Sequence, residues 1–335
     1  MAGIKEISKI TGLSLATVSR VFNDSSLVSP KTREKVLKAA ATIDYQPNIM
    51  AASLRSGKSK IIGVIVPEVN NYFFSGIING IEQIVSDSGY NIIISQSHES
   101  QEKENEALNS FLKLQVDGIL VSVSKETTDF SQIKKIIKSN IRLVFFDRIP
   151  KLTDISSVTL DDYKGGFMAT THLLKEKCKN LIHIAGNPKV SIFNERQKGF
   201  RDAIKNHAQK VSHDTIELTS NMEKDSETLQ KIFKANPKID GIFAYGDEIG
   251  LHVLNLLKEL DIEVPAQVRL IGFGNADFSG LTQPKISTID QECSQMGELA
   301  ARLLLKNLKH GSTKAEAKVL SPRLIVRGSS LSNVS

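Results

Sequence analysis

The chain has 335 residues, 40% of them hydrophobic and 24% charged, with 43 Lys/Arg against 37 Asp/Glu for a net charge of +6. That length predicts two or three domains with a sizeable core, and no apolar run approaches the roughly 18–20 residues of a membrane span. The start lacks an apolar export segment, and Cys178 and Cys293 belong to no CxxC or His/Cys cluster; the expectation is a cytoplasmic protein with free thiols rather than a disulfide, no metal site and no cofactor.

Residues 1–60 carry ten Lys/Arg and only Glu6, Asp24, Glu34 and Asp44 as acids, so the net charge sits there and the remainder is balanced. A basic head on a neutral body suits attraction to a phosphate backbone. On charge alone, a solvated surface helix fits equally well. Within the head, Ile4, Ile7 and Ile10 recur at every third residue and predict a short helix with one buried stripe. Gly12-Leu13-Ser14 then supplies a permissive turn and an N-cap for a second helix, 15–23, with Val18, Val21 and Phe22 inward. Leu15, Ala16, Thr17, Ser19 and Arg20 are left outward. Ser29-Pro30 opens a third helix that runs to about Asp44 with Val36, Leu37, Ala40 and Ile43 inward. Helix, three-residue turn, helix is the geometry that lays a second helix in the major groove.

The run Gly12-Leu13-Ser14-Leu15-Ala16-Thr17-Val18-Ser19-Arg20-Val21-Phe22-Asn23 resembles the signature of the lactose/galactose-repressor family of bacterial transcription regulators. Val28-Ser29-Pro30-Lys31-Thr32-Arg33, Tyr45-Gln46-Pro47-Asn48 and Ala51-Ala52-Ser53-Leu54-Arg55 continue it. The resemblance implies that Leu15, Ala16 and Arg20 read bases of double-stranded DNA. Of these, Arg20 alone can hold a guanine through two bonds; a core role closing the turn is the other reading of Leu15. Thr17, Ser19, Asn23, Thr32 and Tyr45 are candidate phosphate contacts, which position without specifying. Residues 48–60 read as a serine-rich basic linker. In the family this segment forms a hinge helix on the operator, and its leucine, here Leu54, wedges into the minor groove. Gly57-Lys58-Ser59 looks like the tail of a phosphate loop, but Ala52 stands where that loop needs glycine.

From Ile61 apolar runs alternate with helical stretches, the pattern of parallel sheets with crossover helices. The runs are Ile61–Val66, 91–95, 118–123, Arg142–Phe146, Asn180–Ala185, 240–244 and 268–273, with helical stretches such as 74–87 and 101–114 between them. A break falls near Asp161, after which Gly165-Gly166 opens a fresh helix. The chain crosses back at 288–291 and again near Ser321, while 319–326 reads as a final strand. The expected fold class is therefore α/β. A three-helix helix-turn-helix head (1–46) and a hinge (47–60) join a two-lobed body (61–335) that looks like the periplasmic-binding-protein fold. Lobe 1 takes about 61–161 and 291–320, and lobe 2 about 162–290 and 321–330.

In open α/β sheets ligands sit at the carboxyl ends of strands. Phe73 and Phe74, Gln96-Ser97, Asp147 and Arg148, Arg196, Asp247, Asn275 and Gln291 all fall there or on the return crossing. Aromatic faces with carboxylates, amides and guanidinium groups suit a small polyol. Capping or bridging the lobes is the other reading, above all for Asp147, Arg148 and Gln291. The resemblance implies that Arg196, ahead of Gly199-Phe200, contacts the effector, and that Asp247 is the strand-end acid or amide. Two departures stand out: Gly274 replaces an acid, and His252 replaces a small residue. With Arg148 and Arg196, the missing carboxylate weighs toward a sugar acid over a neutral hexose. His252 is either a satisfied core histidine or a residue that narrows the cleft.

No nucleotide-binding, zinc-protease or serine-hydrolase motif occurs in the body, so no catalytic residues are assigned. No leucine heptad follows the final strand, which argues against a tetramerising coiled coil. The family dimerises through its body, placing two heads on a palindromic operator. The expectation is a cytoplasmic homodimeric repressor of carbohydrate-utilisation genes, controlled by a sugar or sugar-acid effector. A cytosolic sugar-binding protein, a co-repressor-dependent regulator or an activator are the alternatives.

Overall fold

The structure, a computed structural model, describes residues 3–23, 28–45, 58–139, 141–150, 154–219, 222–311 and 314–331. The chain divides into two compact units, 1–60 and 61–335. Among the described residues no helix is long and apolar enough to cross a membrane.

The first unit packs α1 (Ile4–Thr11), α2 (Leu15–Asn23) and α3 (Pro30–Thr42) around Ile7, Val18, Val21, Val36, Ala39 and Ala40. Gly12 closes α1 in the left-handed region (φ 66°), where a side chain is strained. Ser14 Oγ then accepts from the Thr17 N–H at 3.1 Å, and Ser29 Oγ accepts from the Thr32 N–H at 3.3 Å, capping α2 and α3. Two residues expected inward are not: Ile10 is 52% exposed and Leu37 44%. A strict three-residue repeat lags the helical period by about 60° per step, so Ile10 rotates off the stripe and Thr11, four residues after Ile7, is buried instead. Leu37 follows the buried Val36 by a single residue and so turns about 100° away from it.

The second unit contains two six-stranded sheets. The first has the order β11-β5-β4-β3-β1-β2 and is parallel throughout. Its strands are β1 (Ile61–Val66), β2 (Asn91–Gln96), β3 (Gly118–Val121), β4 (Arg142–Phe146), β5 (Ser156–Leu160) and β11 (Ala317–Leu320). The second has the order β12-β10-β9-β8-β6-β7 and is parallel except for the antiparallel β10–β12 pair. It comprises β6 (Asn180–Ala185), β7 (Ser212–Glu217), β8 (Gly241–Ala244), β9 (Arg269–Gly274), β10 (Ser287–Asp290) and β12 (Arg323–Ile325). Central strands such as Ile-Ile-Gly-Val-Ile-Val of β1 are apolar along almost their whole length because helices cover both faces. The segment 319–326, expected as one strand, is two: Ser321-Pro322 ends β11 in one sheet and β12 starts in the other, since proline supplies no N–H to continue a ladder.

The helices of the first lobe are α4 (Tyr72–Asp87), α5 (Gln101–Lys113), α6 (Ser131–Lys138) and, arriving late in the chain, α11 (Cys293–His310). The second lobe has α7 (Asp162–Lys175), α8 (Ser191–Lys205), α9 (Met222–Ala235) and α10 (Asp247–Glu259). The chain passes between lobes three times, and the three crossings are bonded to one another. The Asp161 N–H donates to the Leu320 carbonyl at 2.9 Å, and Lys164 Nζ to Ser321 Oγ at 2.7 Å. Arg323 pairs with Asp290 at 3.0 Å and with Glu292.

Each lobe holds one helix crossing without side chains between the backbones. Gly80 of α4 faces the Ser294 carbonyl of α11, and Gly297 faces that of Ile77. In lobe 2, Gly166 of α7 faces the Arg196 carbonyl and Gly199 of α8 faces that of Tyr163. An added Cβ would strike backbone at all four. Gly199→Ala is therefore expected to push α7 and α8 apart, costing about 1–3 kcal/mol and lowering the urea midpoint; an unchanged midpoint would show that the helices part freely.

Candidate functional site

The head presents an apolar and basic surface on α2. Leu15 is 47% exposed, Ala16 and Arg20 are exposed, and Thr17 and Ser19 are half-buried. Thr17 Oγ1 lies 2.9 Å from Ser14 Oγ, so its hydroxyl belongs partly to the cap. Thr32 shares the first turn of α3 with Ser29, their hydroxyls 2.9 Å apart, and its N–H is taken by the Ser29 cap. Tyr45 packs its ring against Phe22 with centroids 5.2 Å apart, and its N–H donates to Ala40. The side chain of Asn23 and the whole of Leu54 fall outside the described residues.

In the body, strand ends of both sheets converge on a cavity of about 130 Å³. A cavity of roughly 150 Å³ admits a benzene ring, so the space fits one small ring. Lobe 1 contributes the start of α4, where Asn71 Oδ1 accepts from the Phe73 N–H at 3.0 Å and presents the edge-packed rings of Phe73 and Phe74. It also contributes Asp147 and Arg148 from the end of β4. Asp147 adopts left-handed backbone (φ 58°), a costly conformation for a non-glycine residue outside a turn. Its Oδ2 accepts from Ser122 Oγ at 3.2 Å. Burial pushes its carboxyl above the usual range, while Arg148 and Arg196 pull the other way without prevailing. Arg148 Nη1 donates to both oxygens of Glu99, at 2.9 and 2.7 Å, and the guanidinium lies over Phe74. Its buried Nε has no hydrogen-bond partner among the described residues.

Lobe 2 supplies Arg196 from α8, which the glycine crossing of α7 and α8 sets against Asp162. Arg196 Nε donates to Asp162 Oδ1 at 2.7 Å, Nη1 to the Tyr245 carbonyl at 2.7 Å and Nη2 to Gln291 Oε1 at 3.0 Å. The guanidinium centre stands 3.7 Å from the centroid of the Phe273 ring, a desolvated cation–π contact. Burial outweighs the arginine at Asp162 and pushes its carboxyl up to about 6. Asp247, the first residue of α10, has both oxygens occupied: Thr288 Oγ1 donates at 2.6 Å and the Ala276 N–H at 2.8 Å. Burial raises its carboxyl as well. A Cβ at Gly272 would strike Asp247 Oδ1, so the carboxylate fits only over glycine. At Gly274 (φ 136°) a Cβ would sit 3.5 Å from Asp247 Oδ2 and 3.6 Å from Gln291 Nε2, facing the cavity. Gly274 thus leaves the space between these two side chains open.

Comparison with known proteins follows the same division. The family described as bacterial regulatory proteins, lacI family, matches residues 3–48, and a periplasmic binding protein-like domain matches residues 170–330. The HTH-type transcriptional regulator RegA of Clostridium saccharobutylicum is 31% identical, covering 98% of this chain and 99% of that protein. The chain belongs to the lacI family of bacterial regulatory proteins. As a member of that family it is a DNA-binding transcription regulator with an α/β body. The lac repressor dimer bound to operator and the anti-inducer ONPF shares the fold over 99% of both chains, with a TM-score of 0.84 and 21% identity. A lacI-type regulator of Alkaliphilus metalliredigens QYMF in complex with D-xylulofuranose is 27% identical, with a TM-score of 0.72, covering 82% of this chain and all of that one.

Within this lacI-family chain, the cavity brings together Phe73, Phe74, Asp147, Arg148, Arg196, Asp247 and Gln291. Asn275 does not line it. Its amide takes a 2.6 Å bond from Arg327 and donates to Asp290 at 3.2 Å, tying the end of β9 to the crossing region. His252 lies elsewhere, its Nε2 2.9 Å from Ser226 Oγ across α9 and α10, and does not narrow the cleft. Three contributors escape the sequence reading. Asp162 and Glu99 hold the two arginines. Tyr72, just ahead of Phe73-Phe74, donates from lobe 1 to Asp277 of lobe 2 at 3.0 Å. Burial and that bond push the Tyr72 phenol up to about 12. The signals available were a polar aromatic beginning a helix and an acid just past a strand end.

Proposed function

We propose that this regulator is a cytoplasmic, non-catalytic homodimer that represses carbohydrate-utilisation genes from a palindromic operator and answers to a small sugar in the body cavity. Residues 1–46 read DNA, 47–60 form the hinge, and 61–335 bind effector and dimerise. Lobe 1 spans about 61–161 and 291–320, and lobe 2 about 162–290 and 321–330. Leu15, Ala16 and Arg20 contact bases; Thr17, Ser19, Asn23, Thr32 and Tyr45 contact phosphates; Leu54 wedges into the minor groove. The observation that carries this reading is the cavity itself: aromatic rings and paired polar groups from both sheets meet around a space for one ring. The Alkaliphilus regulator, with its bound pentulose, supports the sugar class. A ligand touching both lobes changes how they close, and the operator affinity of the paired heads follows by linkage.

The test is selection of sheared genomic DNA by the purified chain, followed by sequencing. Enrichment of a short palindrome beside sugar-utilisation genes is expected, whereas absence of enrichment at low salt would overturn the DNA-reading assignment. Leu54→Ala should weaken the selected site about tenfold or more, the value of one buried leucine, without changing sugar affinity. Unaltered operator affinity would remove the wedge.

A further inference from the structure

Both cavity arginines are already partnered. Arg148 is 2.7 Å from Glu99 and 3.8 Å from Asp147, and Glu99 is also 3.4 Å from Lys125 Nζ. Arg196 is 2.7 Å from Asp162. Asp247 is bonded to a hydroxyl and a backbone N–H, with the charge of Arg327 nearby. On the lining, Arg148 and Arg196 stand beside Asp147, Asp247 and the exposed Glu248, and each arginine is also bonded to an acid just outside it, Glu99 or Asp162. Neither arginine brings an unbalanced positive charge to the lining. An entering carboxylate or phosphate would find no free cation to pair with, and at low local dielectric an unpaired charge is costly. A hydroxyl, by contrast, can both accept from the arginine N–H groups and donate to the carboxylates of the lining. Two free arginines would favour a sugar acid; two neutralised ones reverse that preference.

Glu99 is held in place at a conformational cost. His98 and Glu99 are consecutive non-glycine residues in the left-handed region, with φ of 48° and 60°. Neighbouring bonds fix the turn: Ser97 N–H to the Val66 carbonyl at 3.0 Å and His98 N–H to that of Pro67 at 2.9 Å. Ser100 then caps α5. The result aims the Glu99 carboxylate at Arg148 and at the Lys125 N–H, 2.9 Å away. Burial alone would push its carboxyl up, but Arg148 and these bonds more than offset that and hold it below the usual range, so it stays charged at neutral pH.

The geometry points to Glu99 as the residue that sets the charge class of the ligand: by neutralising Arg148 it makes the cavity take an uncharged monosaccharide and turn away the matching sugar acid or sugar phosphate. Glu99 does not line the cavity, so it acts through Arg148 as a positioning residue. The inference rests on the effector reading of the cavity.

The test is calorimetric titration of the full chain with D-ribose, D-xylulose and D-glucose against D-ribonate, D-gluconate and D-glucose 6-phosphate. Wild type should bind at least one neutral sugar and prefer it to its anionic counterpart. Glu99→Gln should shift the neutral-to-anion affinity ratio toward the anion by roughly tenfold to a hundredfold, the scale of one buried charge a few ångströms away. Glu99→Asp should restore part of the wild-type ratio. Lys125→Ala, which removes a cation outside the cavity, should move the ratio the opposite way by a few fold; this variant decides the matter if Glu99→Gln does not fold. A wild type that prefers the anions overturns the inference, as does a Glu99→Gln protein that weakens both classes alike. Binding of neither class overturns the effector reading, and this inference with it.

Discussion

Arg196→Ala is expected to cost the body about 3–5 kcal/mol and to abolish the effector response at the same time. The stability loss follows from what the guanidinium leaves behind. Asp162 is buried and its carboxyl already sits at about 6 with the arginine present. Without Arg196 it has lost a 2.7 Å charged bond, while the Tyr245 carbonyl and Gln291 Oε1 each lose a donor. Removing one member of a buried pair costs far more than replacing both, because the survivor keeps its desolvation penalty. The double variant Arg196→Met with Asp162→Asn should therefore recover most of the lost stability, to within roughly 1–2 kcal/mol of wild type. It should still fail to respond to effector. Urea unfolding and effector-dependent operator release, measured on both variants, separate the two roles. Equal stability of the single and double variants would show that Asp162 is not stranded.

His183 predicts the second large effect, on acid stability. It lies in the middle of β6, stacked on Phe243 with centroids 4.5 Å apart. Its Nδ1 is 2.9 Å from the Phe243 carbonyl, which can only accept, so the neutral ring carries its proton there. Nε2 is buried without a partner among the described residues. Burial pushes the ring down to about 4 from an ordinary 6.5. The folded value lies below the unfolded one, so between pH 6.5 and 4 the unfolded chain binds the extra proton. The histidine's contribution is complete above 6.5 and is lost as pH falls toward 4. The span is worth about 3 kcal/mol. Asp162 works in the opposite sense, because its raised carboxyl regains stability as pH falls through 6. Total acid stability thus mixes two slopes, and the informative quantity is the difference between wild type and His183→Phe. That difference should shift by about 3 kcal/mol in the variant's favour from pH 7 to pH 4. A pH-independent difference would mean that the ring finds a proton acceptor when charged.

Much of the architecture is readable from residue order because buried parallel strands have an unmistakable composition. β1, β4, β6 and β9 are nearly uninterrupted apolar runs. The helix-turn-helix is equally plain, since its glycine, its Ser14 cap and its Ser-Pro start each meet a local backbone demand. β7 is not readable in this way. Ser-His-Asp-Thr-Ile-Glu lies at a sheet edge with little buried, so pairing with β6 rather than hydrophobicity makes it a strand. β12 is only three residues long and owes its existence to one antiparallel neighbour. In the cavity, strand-end position and side-chain type draw attention to Arg148 and Arg196, but neither tells what stands behind them. Glu99 and Arg148 are 49 residues apart, and Asp162 and Arg196 are 34 apart. Their pairing depends on sheet order and on the α7–α8 crossing, which local sequence does not encode. Charge counted along the chain therefore points toward an acidic ligand, and charge counted in space points away from one.

The bonds that lace the three lobe crossings have a mechanical consequence. A single flexible strap between two bodies would let them slide, twist and bend. Three neighbouring straps, fastened to one another through Asp161 with Leu320, Lys164 with Ser321, and Arg323 with Asp290 and Glu292, resist the first two motions. What remains is rotation about one axis, as for a door hung on three pins. Whatever the shape of the molecule lodged in the cleft, the body reduces it to one number, how far the door stands open.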